Sequence, residues 1–240
     1  MENIYEIGII GFMVGVIGTG IGGIISILVS DIKGNILSFI MGLSGGLMLS
    51  IICFDLLEEA FKITSLPINI AGLILGIIVM SLIETLLRKR NRSGNKYRRI
   101  GFLLLIGVAL HNFPEGLAIG SAFLLTKSLG IGVSIVIAVH NIPEGICMAT
   151  PMRMGGINRL EVLIYTMLAG APIGIGAFIG ALLGNISQNF IGLCLSLAGG
   201  SMLYIACGEL IPSAKEASTK KIQTYGILIG FILGILITKM

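Results

Sequence analysis

Residues 101–125 read GFLLLIGVALHNFPEGLAIGSAFLL. An apolar run of this length suits a helix that crosses a bilayer, which needs about 20 such residues. Its centre holds a polar hexapeptide, HNFPEG, at 111–116. The next apolar run, 129–152, carries HNIPEG at 140–145. The copies differ only at Phe113 against Ile142 and stand 29 residues apart. Each begins about ten residues into its run, near mid-bilayer at about 1.5 Å of rise per residue. Consecutive spans run antiparallel, so the copies can face each other across an approximate two-fold axis.

The rest of the chain agrees with a membrane setting. Of 240 residues 55% are hydrophobic and 12% charged, with mean hydropathy +1.02. That charge content is half of the roughly 25% of a soluble domain, too little to cover a soluble surface. Collagen, coiled coil and disorder are excluded by the missing G-X-Y and heptad periods and by the apolar mass. Apolar runs cover approximately 7–29, 35–57, 66–87, 101–125, 129–152, 160–184, 189–211 and 222–238. None alternates with the period of barrel strands, so each reads as a helix. The expectation is an all-α integral membrane protein of eight transmembrane helices, one polytopic domain over 1–240.

Breaks between runs follow chain chemistry. Asp31, Lys33, Gly34 and Asn35 separate the first two; Pro67 opens the third; Gly184, Asn185, Gln188 and Asn189 separate the sixth and seventh. The start, MENIYEIG, lacks the basic region of a secretory signal, so the first run is read as a retained span. Cys53, Cys147, Cys194 and Cys207 lie in apolar runs without C-x-x-C spacing and read as small buried apolar residues.

Basic residues orient the chain. If the segment 88–100 is a cytoplasmic loop, thirteen Lys and Arg fall on its side: Lys33, seven in 88–99, Arg153, Arg159, Lys215, Lys220 and Lys221. Only Lys62, Lys127 and Lys239 fall on the other. By the positive-inside rule both termini are extracytoplasmic in a multi-pass protein of the cell (plasma or inner) membrane. The basic loop reads as a topology anchor rather than a nucleic-acid site. Glycine, 35 of 240 residues, recurs one turn apart at Gly11 and Gly15, Gly18 and Gly22, Gly72 and Gly76, Gly176, Gly180 and Gly184, and Gly226, Gly230 and Gly234. Small residues at this spacing let helix backbones pack closely.

The hexapeptides carry the chemistry. His111 and Glu115, like His140 and Glu144, are four apart and share a helix face. Asn112 and Asn141 lie on the adjacent flank. Pro114 and Pro143 lack an N–H and release the carbonyls of Leu110 and Val139. An ionisable group at mid-bilayer costs about 3 kcal/mol on insertion scales. A divalent cation held by two imidazoles and two carboxylates compensates four such groups, and that donor set suits Zn²⁺ or Fe²⁺, then Mn²⁺ and Co²⁺.

HNFPEG and HNIPEG resemble the signature helices of the ZIP (Zrt/Irt-like) divalent-metal transporters, the bacterial and archaeal zinc-uptake type above all. SGGLMLSIICFDLLEEA at 44–60 resembles the family's second helix and AGGSMLYIACGELIP at 198–212 its seventh. The resemblance implies a ZIP-like eight-helix bundle with the metal site between helices four and five. It implies homodimers and alternating access by a sliding unit, with metal carried toward the cytoplasm. Carried over by position, the primary site is His111, Glu115, His140 and Glu144. A residue of helix two also reaches it in relatives, and Met48 is the candidate here. A second, weaker site uses Asn112 and Asn141; many relatives are acidic at position 141 and have Glu before the proline where this chain reads Ala171-Pro172.

Remaining acids outline a path. Asp55, with Glu58 and Glu59, stands near the outer end of span two and attracts cations. Glu209 stands near the inner end of span seven and lines an exit, while Glu84 reads as a paired interfacial charge. The expected function is transport of divalent metal: Zn²⁺ foremost, then Fe²⁺, Mn²⁺, Co²⁺ and Cd²⁺. The metal is substrate, and no catalytic cofactor or enzymatic activity is expected. A cation or proton channel using the same groups is the alternative; an intramembrane metalloenzyme is disfavoured because H-E-x-x-H is absent.

Overall fold

The computed structural model describes residues 3–28, 34–90, 95–183, 187–218 and 220–238. Asp31, Lys33, Arg92, Gly184, Asn185 and Lys239 lie outside the described residues. Among the described residues there is no strand. The helices are α1 (Ile4–Leu28), α2 (Gly34–Ile63), α3 (Leu66–Arg90), α4 (Lys96–Leu125), α5 (Lys127–Met154), α6 (Arg159–Leu183), α7 (Gln188–Glu216) and α8 (Ile222–Thr238). Seven are long and apolar enough to cross a membrane. The eighth is apolar but has 17 residues, about 25 Å at 1.5 Å per residue, close to the roughly 30 Å hydrocarbon core.

Helices outrun the apolar runs that announce them. Helix α2 continues through Glu58, Glu59 and Lys62, α7 reaches Glu216, and α4 starts at Lys96. Much of the expected basic loop is therefore helix end: α3 runs to Arg90 and Asn95 caps α4 by accepting from Tyr97 N at 2.9 Å. Hydropathy sees only the lipid-immersed stretch, whereas backbone hydrogen bonding carries a helix on into the interface. Thr126 and Asn158 cap α5 and α6 in the same way, accepting from Leu129 N at 3.1 Å and Glu161 N at 2.8 Å. Such caps are each worth about 1 kcal/mol. Helix α5 stops at Gly155 and Gly156. There Gly156, at φ 81°, donates to Arg153 O while Ile157 N donates to Met152 O; only glycine adopts that left-handed turn without strain.

The helices sort into two groups by packing. One contains α1, α4, α5 and α6: α1 lies on α5 and on both halves of α6, and α4 lies on α5 and the second half of α6. The other contains α2, α3, α7 and α8: α2 pairs with α8, and α3 with α7. Contact between groups is thinner and runs mainly between α4 and α7, and between α2 and α5. Only 22% of the apolar window of α3 is buried against 67% of that of α2, so α2 is central and α3 is largely turned outward.

Glycine stripes mark these pairings. A Cβ on Gly15 would strike the backbone of Gly170 in α6; one on Gly22 would strike Ile142 and Gly145 in α5. Gly76 meets the backbone of Leu197, and Gly230 that of Leu43. Without a hydrophobic drive between helices in lipid, such close approach supplies dispersion contact. A continuous core of Met41, Met48, Met80, Met148, Met202 and their aliphatic neighbours fills the space between the groups.

Candidate metal centre

The two polar hexapeptides sit at the middle of α4, 30 residues long, and α5, 28 residues long. Both helices continue through their prolines, Pro114 and Pro143. Neighbouring helices pack against α4 and α5 on several sides, which sets their polar faces deep: His111, Asn112 and Asn141 are fully buried, and Glu115 and Glu144 nearly so.

His111 joins the helices. Its Nε2 lies 3.1 Å from Glu115 Oε1 one turn on, and 3.3 Å from Glu144 Oε1 of α5. Two carboxylates this close to one imidazole nitrogen leave room between them for a proton on that nitrogen or for a metal ion. Adjacent ligands on a zinc tetrahedron lie about 3.4 Å apart, given metal–ligand bonds of about 2.0–2.2 Å. Both separations are of that size. Among the described residues no group of three or more His, Cys, Asp and Glu is arranged to hold a metal ion; the contacts at His111 radiate from one nitrogen and have ion-pair form. His140 lies in α5 at the matching position, but its side chain is outside the described residues.

Asn112 and Asn141 differ in their surroundings. Asn112 Nδ2 donates to Ala169 O at 2.7 Å. Helix α6 is broken just beyond, where Ala171 N reaches only to Leu168 O and Pro172 supplies no N–H. The side chain of α4 thus clips the irregular backbone of α6, and this bond aims Asn112 Oδ1 the other way. That oxygen, and both polar atoms of Asn141, are buried with no hydrogen-bond partner among the described residues. Asn141 packs against α1, where a Cβ on Gly18 would meet its own Cβ at 2.7 Å. Buried amides left this way cost about 1–3 kcal/mol each, which a water or cation beside them would offset.

The outlying candidates lie on α2 and α7. Met48 is buried in the core between the groups, with Ile52, Met148 and Met202. Asp55 is half-buried near the far end of α2. Beyond it Glu58 and Glu59 share Lys62, at 2.8 and 4.0 Å. Glu209 is buried at the basic end of α7 and accepts from Arg99 Nη2 of α4 at 3.1 Å. Glu84 is paired, as expected: Tyr204 Oη donates to its Oε2 at 2.5 Å, and Arg99 Nη2 lies 3.9 Å from its Oε1.

One relationship escapes a reading that looks only at the hexapeptides. Helices α2 and α7 each contain a five-residue π-turn, Ile52–Leu56 and Ala206–Leu210. Aligned on these turns, GGLMLSIICFDL at 45–56 matches GGSMLYIACGEL at 199–210 in its paired glycines, Met, Ile, Cys, acid and final Leu. Asp55 and Glu209 are the fourth residues of the two turns. A comparison of the chain with itself at an offset of 154 residues reveals the repeat.

Residues 87–238 match the family model described as ZIP zinc transporter. The zinc transporter ZupT of Akkermansia muciniphila is 31% identical over 245 aligned residues, covering 90% of this chain and 91% of that protein. ZupT of Corynebacterium glutamicum is also 31% identical, over 89% of this chain and 91% of its own length. The zinc transporter GufA of Myxococcus xanthus is 33% identical over 60% of this chain and 57% of its own.

Proposed function

Since the chain belongs to the ZIP zinc transporter family, we propose that it carries Zn²⁺ across the cell membrane toward the cytoplasm, by alternating access, through a site at mid-membrane. The observation that carries this reading is the contact of His111 with both Glu115 and Glu144 at the centre of two adjacent helices. His140 completes the primary donor set. Metal and proton compete for it: His, Glu and Glu bind metal only when deprotonated, so zinc entry releases protons.

Asn112 and Asn141 form a weaker second station, neutral and therefore less attractive to a lasting second ion. Met48 borders the primary station, Asp55 stands on the approach and Glu209 on the exit. Fe²⁺, Mn²⁺, Co²⁺ and Cd²⁺ suit the same donors and compete. The relatives it resembles are transporters, and this chain is a transporter rather than an enzyme. The whole of 1–240 acts as one polytopic unit, a homodimer in the bilayer with segment 88–100 cytoplasmic and both termini outside. The group α1, α4, α5, α6 carries the metal, and the group α2, α3, α7, α8 is the frame it moves against.

The test is ⁶⁵Zn accumulation by proteoliposomes holding the full chain. The unaltered protein accumulates zinc, and His111→Ala with Glu115→Ala does not. No divalent-metal flux under any imposed gradient would refute the reading.

A further inference from the structure

The first turn of α4 is electrically misplaced. It holds Lys96, Arg98 and Arg99 and no acidic residue, although a helix N-terminus carries partial positive charge and favours anions. The compensation comes from another helix group. Lys96 Nζ is 2.5 Å from Glu216 Oε2 at the end of α7. Arg99, one turn on, reaches Glu209 on α7 and Glu84 on α3. Arg99 is 21% exposed, Glu84 9% and Glu209 6%, so this second set is shielded from solvent and salt. Tyr204 Oη steadies Glu84 from α7.

We infer that Arg99 is a tethered cation that latches α4 to α3 and α7 at their basic ends and, while engaged, occupies the acidic pair Glu84 and Glu209 in place of a travelling ion. The inference rests on the reading above, in which α4 moves with one group while α3 and α7 stay with the other. Both cations of the latch have their acids across that boundary, while Glu84 and Glu209 also hydrogen-bond each other on their own side of it. Moving α4 separates the set at once: a basic first turn loses its acids, and two buried acids lose their counter-charge. Both losses oppose opening until something else neutralises Glu84 and Glu209. The same motion that opens a path past Glu209 also withdraws Arg99 from it. Arg99 is thereby a gating residue, and no part of its role requires contact with the station at His111.

The latch is tested with a cysteine at Leu103, fully buried one turn beyond Arg99 on α4. Its alkylation by a water-soluble maleimide is followed by site-resolved mass spectrometry, which separates it from the four native cysteines. The purified full chain is used in detergent without metal, so a protein that fails to carry zinc still reports on the latch. Arg99→Met, which keeps length and removes charge, is expected to raise the labelling rate tenfold. The exchange Arg99→Glu with Glu209→Arg is expected to return it to within threefold of the parent. A rise under threefold for Arg99→Met, or an exchange variant that labels as fast as Arg99→Met, overturns the inference. If Arg99→Met does not yield monodisperse protein, Glu209→Gln is judged by the same threshold. If that also fails, the pair is only a folding element and the inference falls.

Discussion

His111 Nε2 lies 3.3 Å from Glu144 Oε1, a carboxylate on the neighbouring helix. This contact makes α4 and α5 one chemical unit, because the histidine of the first hexapeptide meets the acid of the second as well as its own. Glu144→Gln keeps the shape and removes the charge. It is expected to lower ⁶⁵Zn uptake in proteoliposomes at least tenfold while the purified protein stays folded by gel filtration. Uptake within twofold of the parent would remove Glu144 from the site.

Acidity should oppose transport. The donors that take zinc are those that take protons, so apparent affinity weakens as pH falls and returns as it rises. Initial uptake rates at fixed free zinc between pH 5 and 8 should climb with pH, with apparent KM falling more than kcat rises. A KM that is flat over this range would contradict the shared-donor arrangement.

Asn112→Ala deletes the donor to Ala169 O and leaves that buried carbonyl without it. The expected loss is about 1–3 kcal/mol of stability, read as a lower unfolding midpoint in detergent. Asn141→Ala removes two buried polar atoms that lack hydrogen-bond partners among the described residues. It is expected to leave the midpoint unchanged or raised. The opposite order would reverse the assignment of Asn112 as the α4–α6 clip.

Glycine positions separate sharply. At Gly15 any side chain meets the backbone of Gly170, which cannot rotate aside; Gly15→Val is expected to abolish recovery of folded protein. Gly132, also helical, has no atom within 4 Å of an added Cβ. Gly132→Ala is expected to stabilise by about 0.5–1 kcal/mol through helix propensity. Fluorescence-detected gel filtration of both variants checks the pair.

Much of this architecture is legible in the sequence. Helix positions follow from lipid-length apolar runs, and the four-residue glycine spacing marks the faces where α1 meets α6 and α5, and α2 meets α8. The helix ends were less legible, since Glu58, Lys96 and Glu216 look like loop residues on a hydropathy scale yet sit in unbroken helix. Local rules could not anticipate that Arg99 would pair with Glu209 rather than remain in a basic loop, because that pairing depends on how α4 and α7 are docked. The break at Pro172 was visible as a proline, but its use as an acceptor for Asn112 was not.

The two π-turns have a consequence for the direction in which α2 and α7 point their ends. A π-turn holds one residue more than the turn it replaces, and one residue is about 100° of rotation. Everything past Leu56 in α2, and past Leu210 in α7, is therefore swung about a quarter-turn from the face an uninterrupted helix would present. Deleting one residue from Ile52–Leu56 would wind α2 back by that angle and carry Glu58 and Lys62 to another side of the bundle with no change in composition. An alignment gap at this place is a change of heading, and deletion scanning across it should show a phase that substitution scanning cannot.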